Sequence, residues 1–119
     1  MAPRKKATNK MNKKVLFVND NENYKDNPRA DAYLYVEFFE FNNRKFKYRI
    51  DFHNGDYCGF DSNKCVSIMK EDGTWESIVD CRTIGATFGN PYYSSLMNKI
   101  STKDKYVAAF DDYVQKVYG

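Results

Sequence analysis

Residues 32–53 read AYLYVEFFEFNNRKFKYRIDFH, and this stretch decides the fold. In its second half Phe46, Tyr48, Ile50 and Phe52 alternate with Lys47, Arg49, Asp51 and His53. Successive side chains of a strand point to opposite faces, so this period of two predicts a strand buried on one side and solvated on the other. The first half is apolar in both series, with Leu34, Val36 and Phe38 in one and Tyr33, Tyr35, Phe39 and Phe41 in the other. That pattern suits a central strand, or one whose second face is covered by a helix. Asn42-Asn43-Arg44-Lys45 supplies a hairpin turn between the two.

Working outward, residues 15–18 (Val-Leu-Phe-Val) form a short apolar strand. It is expected to end at the polar cluster 19–23, whose Asn and Asp side chains compete for backbone hydrogen bonds, and Asn27-Pro28 continues the loop. On the other side, Asn54-Gly55-Asp56 marks a turn, with a brief strand at 57–60. Strands at 64–70 and 75–82 flank Glu71-Asp72-Gly73-Thr74, where glycine supplies the positive φ of a hairpin. Gly85 and Gly89 punctuate a loop.

The period then changes. Asn90-Pro91 reads as an N-cap with proline at the first helical position, opening a short helix to Ile100. Ser101-Thr102-Lys103-Asp104 resembles a capping box that opens a second helix. Its stripe is Tyr106, Val107, Phe110, Tyr113, Val114, Val117 and Tyr118, supported outside by an Asp112 and Lys116 pair. The expected fold is α+β, an antiparallel β-meander of about five strands followed by two C-terminal helices packed on one face.

Composition divides the chain. It has 119 residues, 17% of them aromatic, which suits one folded domain. Residues 1–14 contain Arg4, Lys5, Lys6, Lys10, Lys13 and Lys14 and no acid, whereas the rest holds 13 basic and 16 acidic side chains. A basic arm, flexible over residues 1–13, is therefore expected on a mildly acidic α+β domain of residues 14–119. Lys outnumbers Arg 14 to 5 and there are 12 Asn, a codon bias of AT-rich genomes such as those of many bacteria, phages and other viruses.

Spaced cations on a flexible segment follow a phosphate backbone and release counterions, so the arm points to nucleic acid or a nucleoprotein complex. Lys47 and Arg49, beside Phe46, Tyr48 and Phe52, extend the candidate set, since rings and cations together bind unpaired bases. Alternation, however, sends those rings and cations to opposite faces. The segment from Arg44 to Phe52 resembles the aromatic strand of RNA-recognition domains. It lacks that motif's glycines, and no helix separates it from the 15–18 strand, which excludes the family. The alternative partner is a host protein, blocked by an acidic body bearing acids over 20–26 and at Asp111 and Asp112.

Other chemistry finds little support. His53, Cys58, Cys65 and Cys81 lie five, seven and sixteen positions apart, without a close pair for zinc. Asp51, His53 and Asp56 could suit a metal-dependent nuclease, but acids near a turn are also ordinary solvated surface, and no P-loop, nucleophile elbow or H-E-x-x-H is present. Neither catalysis, nor a cofactor, nor a metal is expected. There is no apolar run of spanning length and no signal peptide, and three cysteines fit a reducing compartment, so the cytoplasm (a host's, if viral) is expected. The apolar stripe near the C-terminus could also serve self-association through that helix.

Overall fold

Alternation and turn chemistry yield a five-stranded antiparallel sheet in the computed structural model, which describes residues 11–21, 33–52, 64–89, 91 and 95–119. The strands are β1 (Lys14–Asn21), β2 (Tyr33–Phe41), β3 (Arg44–Phe52), β4 (Lys64–Met69) and β5 (Trp75–Asp80), in spatial order β1-β2-β3-β4-β5. The expected strand at 57–60 and the turns at Asn27-Pro28 and Asn54-Gly55-Asp56 lie outside the described residues.

Two turns set the register. Asn42 and Asn43 take φ of 57° and 67°, the left-handed pair that matches the twist of a two-residue hairpin. Phe41 therefore stands opposite Arg44 and Tyr33 opposite Phe52. Between β4 and β5, Gly73 takes φ 87°, while the Thr74 N–H and hydroxyl both donate to Asp72 Oδ1 at 3.0 and 2.6 Å. Those donors hold the Asp72 carboxyl below the usual carboxylate range.

β1 runs past its apolar core into the polar cluster expected to end it. Asn19, Asp20 and Asn21 pair with Val36, Tyr35 and Leu34, and the Tyr33 hydroxyl donates to Asp20 Oδ1. The ladder along the longer β2 outweighs the local turn preference of those side chains.

Among the described residues the C-terminal region forms one helix rather than two, α1 (Leu96–Tyr118). Its N-cap is Ser95, whose Oγ accepts from the Asn98 N–H at 3.2 Å, and Pro91 lies outside it. The sequence 101–104 is helix interior. A continuous inward stripe of Lys99, Lys103, Tyr106, Phe110 and Val114 runs through it, every one buried. Ser and Thr cost a helix interior only about 0.5 kcal/mol each relative to Ala, far less than that burial returns. Lys103 joins the stripe by burying its stem, with its ammonium 4.4 Å from the Tyr35 ring centre and paired to Asp104 at 2.7 Å.

The helix lies along β3 and antiparallel to it. Tyr106 meets Phe52 at 6.1 Å between ring centres, Phe110 meets Tyr48 at 5.3 Å, and Tyr118 meets Phe46 at 5.2 Å. Phe46, Tyr48, Ile50 and Phe52 are all fully buried beneath it, as the alternation predicts. From β2 the covered series is Tyr33, Tyr35, Glu37 and Phe39.

Glu37, only 2% exposed, lies under the helix because it has partners there. The Tyr35 hydroxyl donates to its Oε1 at 2.8 Å, and Lys13 Nζ stands 2.7 Å from its Oε2. The same ammonium reaches Asp111 of α1 at 2.8 Å, and Asp111 also accepts from the Tyr48 hydroxyl at 2.6 Å. Lys13 lies 4.8 and 5.0 Å from the ring centres of Phe39 and Tyr48, so rings cover the charge where carboxylates do not. Removing one partner of a buried ion pair typically costs about 3–5 kcal/mol. Lys13→Met should accordingly lower the urea unfolding free energy by about 3 kcal/mol, and adding Glu37→Gln should recover part of it. Additive losses would mean that the two groups do not interact.

Burial, together with the acids they donate to, raises the phenols of Tyr33, Tyr35 and Tyr48 well above the ordinary tyrosine value. Because the folded state favours their neutral form, the stability they contribute is complete below about pH 10 and drains away as pH rises beyond it. Titration followed at 295 nm should show these three phenols ionising only together with alkaline unfolding. Tyr48→Phe, Tyr35→Phe and Tyr33→Phe should each remove one late-ionising group.

Candidate nucleic-acid interface

The face of the sheet away from α1 collects the other half of every alternation. On β3 it presents Lys47 and Arg49, and on β2 it presents Leu34, Val36, Phe38 and Glu40. Register then sets one row across the sheet: Phe17 opposite Phe38, Phe38 opposite Lys47, Lys47 opposite Ser67, and Ser67 opposite Ser77. Trp75 begins β5 opposite Met69 and leans toward that row.

Three rings from three strands meet there. Phe17 and Phe38 are edge to face with centres 5.9 Å apart, and Phe38 and Trp75 are edge to face at 5.5 Å. Lys47 Nζ sits 5.2 Å from the Trp75 ring centre. Leu16, Phe17, Phe38, Lys45, Met69 and Trp75 line an open groove of about 460 Å³. Phe17 keeps 57% of its surface exposed, a large value for a ring and a sign of a face with room for a ligand.

Cations border the groove. Lys14 and Lys45 stand on either side of Glu40, and Arg49 lies one row beyond Lys47. Arg49 is about half exposed and holds Asp51 Oδ2 at 2.9 Å, which accounts for a carboxylate buried to 1% on a face expected to be solvated. Cys65, opposite Arg49, has its thiol pushed up by burial, and the nearby Arg49 and Lys47 charges offset only part of that. A flat, weakly hydrated base can stack on exposed Phe17 or half-buried Phe38 and Trp75 while its phosphates reach the cations.

Each candidate residue from the sequence has a distinct fate. Lys47 and Arg49 lie on the open face together. Lys14 is exposed on β1 and shares that face. Lys13 is turned inward to Glu37 and Asp111, so its charge is spent within the fold. Arg4, Lys5, Lys6 and Lys10 lie outside the described residues. The chain they precede packs Met11 against the core and runs through Asn12, Lys13 and Lys14 beside Glu40, Asn42 and Asn43, the hairpin end next to the groove. Ten extended residues reach at most about 35 Å, enough to pass from there around the edge of the sheet.

Phe46, Tyr48 and Phe52, the rings nearest those cations in sequence, belong to the core. The rings that share the cations' face are Phe17, Phe38 and Trp75, contributed by other strands. Only the register could have assembled them, although the apolar even series of β2 was the available signal.

Among the described residues no group of three or more His, Cys, Asp or Glu side chains is placed to hold a metal. His53, Asp56 and Cys58 lie outside them, Cys65 is a half-buried free thiol, and Cys81 is buried in the core. No described helix is long and apolar enough to cross a membrane. On α1, Tyr106, Phe110 and Val114 are consumed by the core, leaving Val117 as an exposed member of the stripe. Of the acids, Asp111 is turned inward, and Asp112 pairs with Lys116 at 3.5 Å. Compared with protein-family models, curated proteins and solved structures, the chain matches none.

Proposed function

We propose that this protein is a non-enzymatic binding protein that takes single-stranded nucleic acid on the open face of its sheet, with the basic N-terminal arm adding phosphate contacts. The observation that supports this reading is the ladder of Phe17, Phe38 and Trp75 with Lys47 against the indole. Stacking on such rings contributes about 1–3 kcal/mol per base and tolerates any sequence, because every base has a π face. Bases inside a duplex are already stacked, so the groove favours unpaired strands. Lys14, Lys45, Lys47 and Arg49 supply the local electrostatics, while Arg4, Lys5, Lys6 and Lys10 enlarge the capture radius.

The chain's only tryptophan lies in the groove, so its emission reports on the site directly. Adding a single-stranded oligonucleotide should quench Trp75, whereas a duplex of the same sequence should bind weakly and leave emission nearly unchanged. Phe38→Ala should weaken single-strand binding by about tenfold or more. Each phosphate neutralised on a single strand contributes about −0.7 to the slope of log K against log salt. A chain beginning at Met11 should thus lose up to about 3 from that slope and still quench Trp75. Unaltered emission with every oligonucleotide, or equal affinity for duplex and single strand, would overturn the proposal.

A further inference from the structure

β1 is an edge strand, and nothing among the described residues pairs with its outer side. Its central residues Val15, Leu16, Phe17 and Val18 are exposed by 49%, 47%, 57% and 43%, four consecutive large apolar side chains. Natural edges are commonly blunted with inward charges, proline or bulges, because bare backbone donors and acceptors invite another strand. Here the four central positions carry no charge and no proline.

A bulge is present, between Val15 and Phe17, but its effect is to make the strand self-complementary. Val15 stands opposite Phe39 and Val18 opposite Glu37, so both lie on the helix side. Lys14 stands opposite Glu40 and Asn19 opposite Val36, so both lie on the open side. Residues 15 and 18, three apart, would face opposite ways in a regular strand. The extra residue brings them to the same face, and the facing order from Lys14 to Asn19 then reads the same in both directions.

Charge follows the same logic. The strand is basic at its start, with Lys14, and acidic at its end, with Asp20. Antiparallel pairing with an identical strand lays each basic end beside an acidic one, whereas parallel pairing would set Lys14 against Lys14. We propose that β1 pairs antiparallel with β1 of a second copy of this chain, Val15 of each opposite Val18 of the other, joining two five-stranded sheets into one. A two-fold axis normal to the sheet keeps both helices on one side and both open faces on the other. The dimer does not depend on the nucleic-acid reading; if that reading holds, the axis places two grooves on one continuous face.

Sedimentation velocity of the full chain over a concentration series tests this. A reversible dimer is expected, and the register predicts how Asn19, opposite Lys14 of the second copy, controls it. Asn19→Glu should tighten the dimer and Asn19→Lys weaken it, each by about three- to tenfold, since two symmetric cross-strand charge pairs change together. Because Asn19 is exposed, both variants should keep the parent's circular dichroism and urea midpoint. Val18→Lys, outside the groove, should abolish the dimer. A monomer at every concentration would overturn the proposal, as would a dimer indifferent to both Asn19 charges. Slow hydrogen exchange of the β1 amides in a monomer would assign the edge to another segment of this chain, and so would also overturn it.

Discussion

The Lys13 ammonium, held between Glu37 of the sheet and Asp111 of the helix, is the interaction at which three parts of the molecule meet. A carboxylate as buried as Glu37 is tolerable only with compensation, and Lys13 supplies it together with the Tyr35 hydroxyl. Asp111 fastens α1 to β3 through Tyr48 at the point where Phe110 packs on the same ring. Residues leading into β1 therefore close the helix–sheet seam as well as carrying the cations that precede them. Met11, just before them, packs against the core.

Among the described residues a single helix covers one side of the sheet, and no described element covers the other. A face of that kind would ordinarily be polar at alternate positions, as antiparallel sheets with one solvated side are. Here β3 obeys the rule, β2 breaks it with Leu34, Val36 and Phe38, and β1 and β5 set Phe17 and Trp75 beside polar Asn19 and Ser77. The result is a mixed surface in which rings and cations interleave, with Lys47 reaching over Trp75 from the neighbourhood of Phe38. The open face and the apolar β1 edge adjoin at Phe17, which belongs to both. A base stacked in the proposed groove and a strand paired at the proposed edge would use neighbouring sides of one strand, the first its face and the second its backbone.

Much of the fold was legible in local pattern. The hairpin of β2 and β3, the turn at Gly73 and the buried series of β3 follow from alternation and from residues that accept positive φ. Two local signals misled. The 101–104 capping box did not divide the helix, because the inward stripe on either side of it is continuous and its burial outweighs a cap. Polar residues 19–21 did not end β1 at Val18, because the ladder with β2 runs through them as far as Asn21 and Leu34. Of the candidate site, Lys47 and Arg49 were legible as sharing the face opposite the buried rings of β3, and their ring partners were not.

What the sequence determined by itself was therefore the five described strands, the helical character of the C-terminal stretch and the buried face of the central hairpin, together with a charge division between residues 1–14 and the rest. These depend on spacing within a few residues, where side-chain direction follows from the backbone period. Only the tertiary structure decided that Lys13 serves the core, that Phe46, Tyr48 and Phe52 are withdrawn from solvent, and that Phe17, Phe38 and Trp75 converge. Those outcomes depend on strand order, on register and on which face the helix covers. They bring together residues up to 98 positions apart, as with Lys13 and Asp111, and no local period encodes such a meeting.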